Sequence, residues 1–546
     1  MNRRTLHFAP GACLSKWPLP LALAVVALIT VAVYWPVLQN GFIDFDDPDY
    51  VTVNMMVRNG LSLKGLTWSL TAFHAGNWHP LTWLSHMLDV ELFGMNPLGH
   101  HAVNLLLHTA NSTLLCLLLC RLTGCTGRSI VVALLFALHP LHVESVAWIA
   151  ERKDLLSTLF WLLTLGTYAG YARAPSLWRY LSVTGLFALG LMAKQMVVTL
   201  PLILFLMDWW PLKRVNTTET AGDLPAVGLQ RLLVEKIPLL IISAGASLVT
   251  LSAQATAGAL SRLDSHSALI SSGNALIASV SYLKKMIWPS GLALFYPLEP
   301  ARVTALRVAG SAILLVALTV FTALQQQKRP WLLFGWLWYL ITLVPVIGII
   351  RVGSQAMADR YTYIPLVGLF IAIVWEGIEF AGKRRRGLPA AAGVAVAALI
   401  SLSVLTVNQI RIWETSSGLY EHALTVVDNN WLAHNNIGIL LAQRYRTGEA
   451  IEHFRESLRI NPNQGTVFRN LGNAYQSVGS YTAAVEAFQQ AIRLNPDDAE
   501  AHFRLGYAYL MGGNPDLAYR EYLDLRRLDE SQGRALIDSI RRRQTH

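Results

Sequence analysis

Residues 19–38 read LPLALAVVALITVAVYWPVL, an unbroken apolar run with Arg3, Arg4 and Lys16 ahead of it. About 20 apolar residues in a helix cross the ~30 Å hydrocarbon core of a bilayer. In that medium a helix satisfies every backbone N–H and C=O within itself. The run is long for a signal-peptide core and lacks a small-x-small cleavage pattern. It therefore reads as an uncleaved anchor whose basic flank stays in the cytoplasm. Further apolar runs lie at 102–120, 129–138, 154–171, 180–193, 196–210, 237–253, 304–324, 331–350, 362–380 and 389–407. Together they predict an all-α polytopic helix bundle of about eleven spans. Segment 129–138 is short for a crossing, and its helix is expected to continue through 139–148.

The composition agrees. The chain is 53% apolar and 14% charged, with mean hydropathy +0.40, whereas soluble domains are about a quarter charged. A net charge of +10 would suggest nucleic acid as the partner of a soluble protein. Here much of the Lys and Arg flanks apolar runs, where orientation in the membrane is the simpler cause. Nucleic acid is excluded on that ground, and the head groups or phosphates of membrane lipids are the expected ligands. The basic runs 213–214, 328–329 and 383–386 all fall on the cytoplasmic side of this arrangement. The apolar stretch 274–288 carries Lys284 and Lys285, and if it crossed, run 383–386 would move outside. It is therefore placed as an interfacial helix within an outer loop at 254–303. An odd number of spans in an inner, cytoplasmic membrane leaves the N-terminus in the cytoplasm and the C-terminal region in the periplasm. The first outer loop is 39–101. Cys116 and Cys120, one helical turn apart in an apolar run, read as small packing residues.

Residues 431–532 repeat with a period of 34, the tetratricopeptide spacing. Ile437-Gly438, Leu471-Gly472 and Leu505-Gly506 share one phase. So do Ala450, Ala484 and Ala518, and the aromatics Phe454, Phe488 and Tyr522, while Pro462 and Pro496 close the first two repeats. Small residues let the two helices of a repeat approach, and the aromatics fill the gap between neighbours. The expected organisation is a membrane domain at 1–407, a connection at 408–430 and a helical solenoid at 431–546, three repeats with a polar cap helix at 532–543. Trp413, Leu419 and Tyr420 predict that the connection packs.

Just beyond the first span, Gly41-Phe-Ile-Asp-Phe-Asp-Asp-Pro-Asp-Tyr50 gathers Asp44, Asp46, Asp47 and Asp49. Carboxylates beside a bilayer are costly and call for an explanation. One is a general base with neighbours that hold it or a metal, and the other is a solvated turn around Asp47-Pro48. His79 precedes Pro80, which favours a helix start there. His139, His142 and Glu144 are of metal-ligand type, so a divalent metal and rings held by hydrogen bonds are both open readings. Arg152, Lys153, Lys194, Arg351 and Arg360 all fall at the outer membrane edge. Arginine and lysine there suit a lipid phosphate, although snorkelling alone accounts for an isolated Lys194. Cations and carboxylates meeting on one face fit a site for an anionic lipid carrier better than a channel, which repeats its polar residues along the spans.

At these residues the chain resembles the transmembrane and tetratricopeptide-repeat O-mannosyltransferases and their bacterial relatives. The resembling motifs are Phe45-Asp-Asp47, His79-Pro-Leu-Thr-Trp-Leu-Ser85, His100-His-Ala-Val-Asn-Leu-Leu-Leu-His108, Leu138-His-Pro-Leu-His-Val-Glu144, Arg152-Lys-Asp-Leu-Leu156, Ala193-Lys194 and Asp359-Arg-Tyr-Thr-Tyr-Ile-Pro365. They run in order, and the repeats complete the architecture. The resemblance implies a C-type glycosyltransferase fold, with the acidic catalytic motif on the first outer loop and a second long outer loop after the seventh span. It implies a polyprenyl-phosphate sugar donor and Ser or Thr hydroxyls of exported proteins as acceptors. Asp46 is then the expected base and Asp47 its orienting neighbour, with Arg152, Lys153, Lys194 and Arg360 on the donor phosphate. Asp44, His79, His139, His142 and Glu144 are further pocket candidates. The pattern departs at two positions, where eukaryotic members carry Arg in place of His79 and Glu in place of Gln195. A membrane-anchored scaffold without catalysis, and a transferase acting on lipid or envelope glycan, are the alternatives.

Overall fold

The computed structural model describes residues 17–215, 227–256, 265–348 and 353–544, so Arg351 lies outside the described residues. The chain divides into two compact units, 1–292 with 298–416, and 417–546 with the short strip Ala293–Pro297.

The first unit is an all-α bundle. Among the described residues, seven helices are long and apolar enough to cross a membrane: Leu19–Gln39, Pro97–Thr123, Ile149–Arg173, Leu229–Thr256, Ala305–Leu324, Pro365–Gly382 and Gly387–Ile412. The shorter apolar helices Leu177–Ala193, Gln195–Trp209 and Pro330–Leu343 occupy three more of the positions expected from the sequence. The remaining one, 129–138, does not continue as a straight helix. Thr126–Leu138 and Pro140–Ala147 meet at a 55° bend. Pro140 offers no N–H and disfavours helical geometry in the residue before it, and His139 is extended there, with φ −79° and ψ 128°. Beyond the bend, Glu144 meets Arg360 and the Ala150 N–H reaches Asp47. Val26, Cys116, Ala133, Leu134, Ala137 and Leu138 form one buried cluster joining the first three spans, with small residues where the helices meet. The first outer segment is itself helical. Asn54 and Ser62 cap Met55–Arg58 and Leu63–Thr71 with their side chains, and Pro80 opens Pro80–Phe93. Stretch 274–288 lies on a helix, Ser265–Ile287, pinned where Asn274 donates to the Ala356 carbonyl (2.7 Å) and Ala358 N–H donates to the Tyr282 hydroxyl (3.0 Å).

The second unit begins within helix Ser416–Val426 and continues as three helix pairs, 431–443 with 447–460, 465–477 with 481–494, and 499–511 with 515–528, followed by Glu530–Gln544. Trp413, at the end of the first unit, and Leu419 and Tyr420, in the first helix of the second, are all buried. Ala450, Ala484 and Ala518 are fully buried. The glycine of each repeat marks the closest approach of a pair. A Cβ on Gly438 would meet the Phe454 ring at 2.7 Å, and one on Gly472 the Phe488 ring at 2.6 Å. In the third repeat the neighbour is Leu536 of the cap helix. Gly472→Ala forces the Phe488 ring off its packing, and overpacking of this kind costs about 1–3 kcal/mol. The expected result is faster amide hydrogen exchange across helices Gly465–Ser477 and Tyr481–Leu494, with the exchange of the first unit unchanged.

Candidate active site

Asp46 and Asp47 are adjacent and do different things. Asp47 is fully buried, and its two carboxylate oxygens accept the N–H groups of Ile43 and Ala150, each at 2.8 Å. It thereby ties the segment after the first span to the start of helix Ile149–Arg173. Burial pushes its carboxyl up to about 7, against the pull of the two N–H donors. With both oxygens engaged, Asp47 positions its neighbour. Asp46 is half-buried, and burial raises its carboxyl above the usual range while the Lys153 ammonium opposes the shift. Asp44 and Asp49 are exposed.

The charged group beside Asp46 is organised by Glu151. Lys153 Nζ lies 3.0 Å from one Glu151 oxygen, Arg360 Nε 3.3 Å from the same oxygen, and Lys194 Nζ 3.2 Å from the other. Lys194 also reaches Asp154 Oδ1 at 2.6 Å, and Arg360 pairs with Glu144, donating to it from Nη1 (2.5 Å) and from its own backbone N–H (2.9 Å). Aromatic faces wall the group. Lys153 lies 4.5 Å from the Tyr50 ring centroid and donates to its hydroxyl (3.4 Å), and the Arg360 guanidinium lies 5.4 Å from the Trp148 ring. Lys153, Lys194 and Arg360 are far apart along the chain, yet they converge on one carboxylate. Such an arrangement can take a proton at Asp46 and receive developing negative charge at the cations.

The other sequence candidates sit elsewhere. Arg152, expected beside Lys153, points to a different wall. It is fully buried, pairs with Asp89, and donates to Asn104 Oδ1 (2.8 Å), Ser85 Oγ (3.2 Å) and the His100 carbonyl (2.7 Å). Consecutive helical residues do not share a face, which separates it from Lys153. His139, His142 and Glu144 do not converge as a ligand set. His139 Nε2 bonds the Met286 carbonyl (2.9 Å), His142 Nδ1 bonds the Phe136 carbonyl (2.7 Å), and Glu144 is taken by Arg360. Their rings are held in place by backbone, the second of the two readings above. His79 is buried, which brings its imidazole down to about 3, with the Lys153 charge adding to the effect. The Gln195 amide donates to the Trp78 carbonyl (2.7 Å), so its oxygen faces His79 Nε2 at 2.8 Å. The two departures from the eukaryotic pattern are therefore one contact.

Sequence reasoning gave no role to Glu151, Tyr50 or Trp148. Glu151 had a signal: it opens Glu151-Arg-Lys-Asp154, four consecutive ionisable residues at the mouth of an apolar run, where each charge needs a partner.

A tetratricopeptide-repeat profile matches residues 469–532. Over 83% of the chain the sequence is 24% identical to "Protein O-mannosyl-transferase TMTC3" of Mus musculus, covering 52% of that protein. It is 25% identical to "Protein O-mannosyl-transferase TMTC1" of Homo sapiens over 83% of the chain and 56% of that protein. With "Protein O-mannosyl-transferase TMTC4" of Homo sapiens the identity is 26%, over 82% of the chain and 67% of that protein. The chain thus spans about half the length of the first of these curated relatives. Among solved structures, "Crystal structure of MamA protein" overlaps 22% of the chain at 19% identity and a TM-score of 0.21. The matches to curated proteins extend from the membrane bundle into the repeats, and the chain is a distant relative of the transmembrane and tetratricopeptide-repeat protein O-mannosyltransferases.

Proposed function

We propose that this protein is a membrane glycosyltransferase that moves a hexose, mannose or a similar sugar, from a polyprenyl-phosphate carrier to Ser or Thr hydroxyls of exported proteins. The observation that carries the proposal is the half-open Asp46 carboxylate beside Lys153 and Arg360, which share one glutamate with Lys194. Asp46 takes the proton of the acceptor hydroxyl as its oxygen attacks the anomeric carbon. The carbon–oxygen bond to the phosphate breaks in the same displacement, which inverts the anomeric centre. The leaving phosphate gains negative charge, and the cations stabilise it where it develops. Asp47 and Arg152 hold the frame around this group without reaching the reacting atoms. The names of the relatives support a sugar-to-protein transfer. The donor class rests on the cationic group beside apolar spans. Purified protein in lipid nanodiscs, given a polyprenyl-phosphate mannose and a Ser/Thr-rich peptide, should release the lipid phosphate with equal incorporation of sugar into peptide. Hydrolysis without incorporation would overturn the acceptor assignment, and inertness toward every polyprenyl-phosphate hexose would overturn the donor.

The site and the repeats are placed in the periplasm. Positive-inside assignment of run 383–386, with the odd span number, puts the C-terminus outside. Alkaline phosphatase fused after His546 should be active in intact cells, and a cytoplasmic reporter at the same position silent. The reverse pattern would overturn the orientation.

A further inference from the structure

Away from Asp46, three ligand-type side chains converge. His86 and Asp89 are three residues apart on helix Pro80–Phe93, hence on one face. Helix Pro97–Thr123 brings His100 against them. One ligand atom from each lies within 4.8 Å of the other two, and all three side chains are buried. The hydrogen bonding of this group is incomplete. His100 donates its Nε2–H to the Gly94 carbonyl (3.1 Å), which in a neutral ring leaves Nδ1 a lone pair. That lone pair faces Asp89 Oδ2 at 3.3 Å. Two acceptors so placed repel unless a proton or a metal cation lies between them. His86 has no hydrogen-bond partner at either ring nitrogen, and each buried polar atom left unsatisfied costs about 1–3 kcal/mol.

We propose that His86, Asp89 and His100 bind a divalent transition-metal ion of the zinc class. Two imidazoles and one carboxylate are a zinc donor set that keeps a fourth position open. The Gly94 carbonyl fixes the His100 tautomer, and Arg152 holds the Asp89 carboxylate, the kind of outer support that metal ligands have. Arg152 already balances Asp89, so the ion brings net positive charge. Water ionised to hydroxide at the open position is the natural complement. The ion joins the outer-loop helix to the second span and fixes the wall on which Arg152 rests. None of the three ligands belongs to the Asp46 group, so this site and the transferase proposal stand or fall separately.

The test uses full-length protein purified without a histidine tag. It is equilibrated with zinc chloride, freed of excess by gel filtration and assayed for metal by mass spectrometry. The expected result is about one zinc per chain, lost in His86→Gln and in His100→Gln and retained in His139→Gln, whose ring is bound elsewhere. Cobalt-loaded wild type should show visible ligand-field absorption, and phenanthroline should remove the metal and lower the unfolding temperature of wild type. Those last two readings need no variant to fold. Wild type that keeps no zinc, or His86→Gln and His100→Gln proteins that keep as much zinc as wild type, would overturn the site in favour of a protonated His100 paired with Asp89.

Discussion

Asp46→Asn lowers sugar transfer by at least ~100-fold, the low end for loss of a general base, in a protein that is otherwise folded. Asparagine keeps the shape at this half-buried position and removes the group that accepts the proton. The pH profile carries the same information with a sign. The base acts in its ionised form, and burial raises the Asp46 carboxyl above the ordinary carboxylate range. Transfer by wild type is therefore lost as pH falls through that raised value, and the acid limb lies above ~4, the unperturbed value for aspartate. Asp46→Asn should flatten this limb as well as lower the rate. Asp49→Asn, on an exposed residue, should change neither. Initial rates of lipid-phosphate release across pH, for the three proteins side by side, decide the matter. A wild-type rate in Asp46→Asn would sink the enzyme assignment.

Glu151→Gln has the second large effect, and it acts on stability first. The glutamate is buried and shares its two oxygens among Lys153, Lys194 and Arg360. A neutral amide leaves Lys194 with Asp154, Arg360 with Glu144 and Lys153 without its ion pair, and removing one partner of a buried ion pair costs about 3–5 kcal/mol. Heat-induced unfolding of the first unit should move down accordingly, while unfolding of the repeats stays in place. The same change frees positive charge beside Asp46, so a phosphate-containing lipid should restore part of the lost stability. The size of that restoration, read as the ligand-induced shift in unfolding temperature, should be greater in Glu151→Gln than in wild type. An equal shift in both proteins would mean that the lipid phosphate does not reach these cations.

Much of the fold was legible in the sequence because its signals are local. Apolar runs predicted the helices, and the 34-residue period predicted three helix pairs and a cap, with close helix approach at the glycine of each pair. A local signal also misled at 129–148, where the apolar run continues but Pro140 withholds an N–H and the helix bends. The site was only partly legible. Composition and motif order put carboxylates and cations on one side of the membrane without saying which touch.

What the sequence by itself determined is the helical class, the membrane spans, the repeat unit and the set of charged residues to consider. Each follows from hydropathy, backbone hydrogen bonding and periodicity along a stretch of chain. What only the tertiary structure decided is how neighbours part and distant residues meet. Asp46 stays half-open while Asp47 is locked onto two backbone N–H groups. Lys153 turns to Glu151 while Arg152 turns to Asp89. His79 finds Gln195, and Lys194 and Arg360 arrive from remote helices. The physical reason is that successive residues of a turn or helix point in different directions, and buried charges go to whichever counter-charge the packing of distant helices brings within reach.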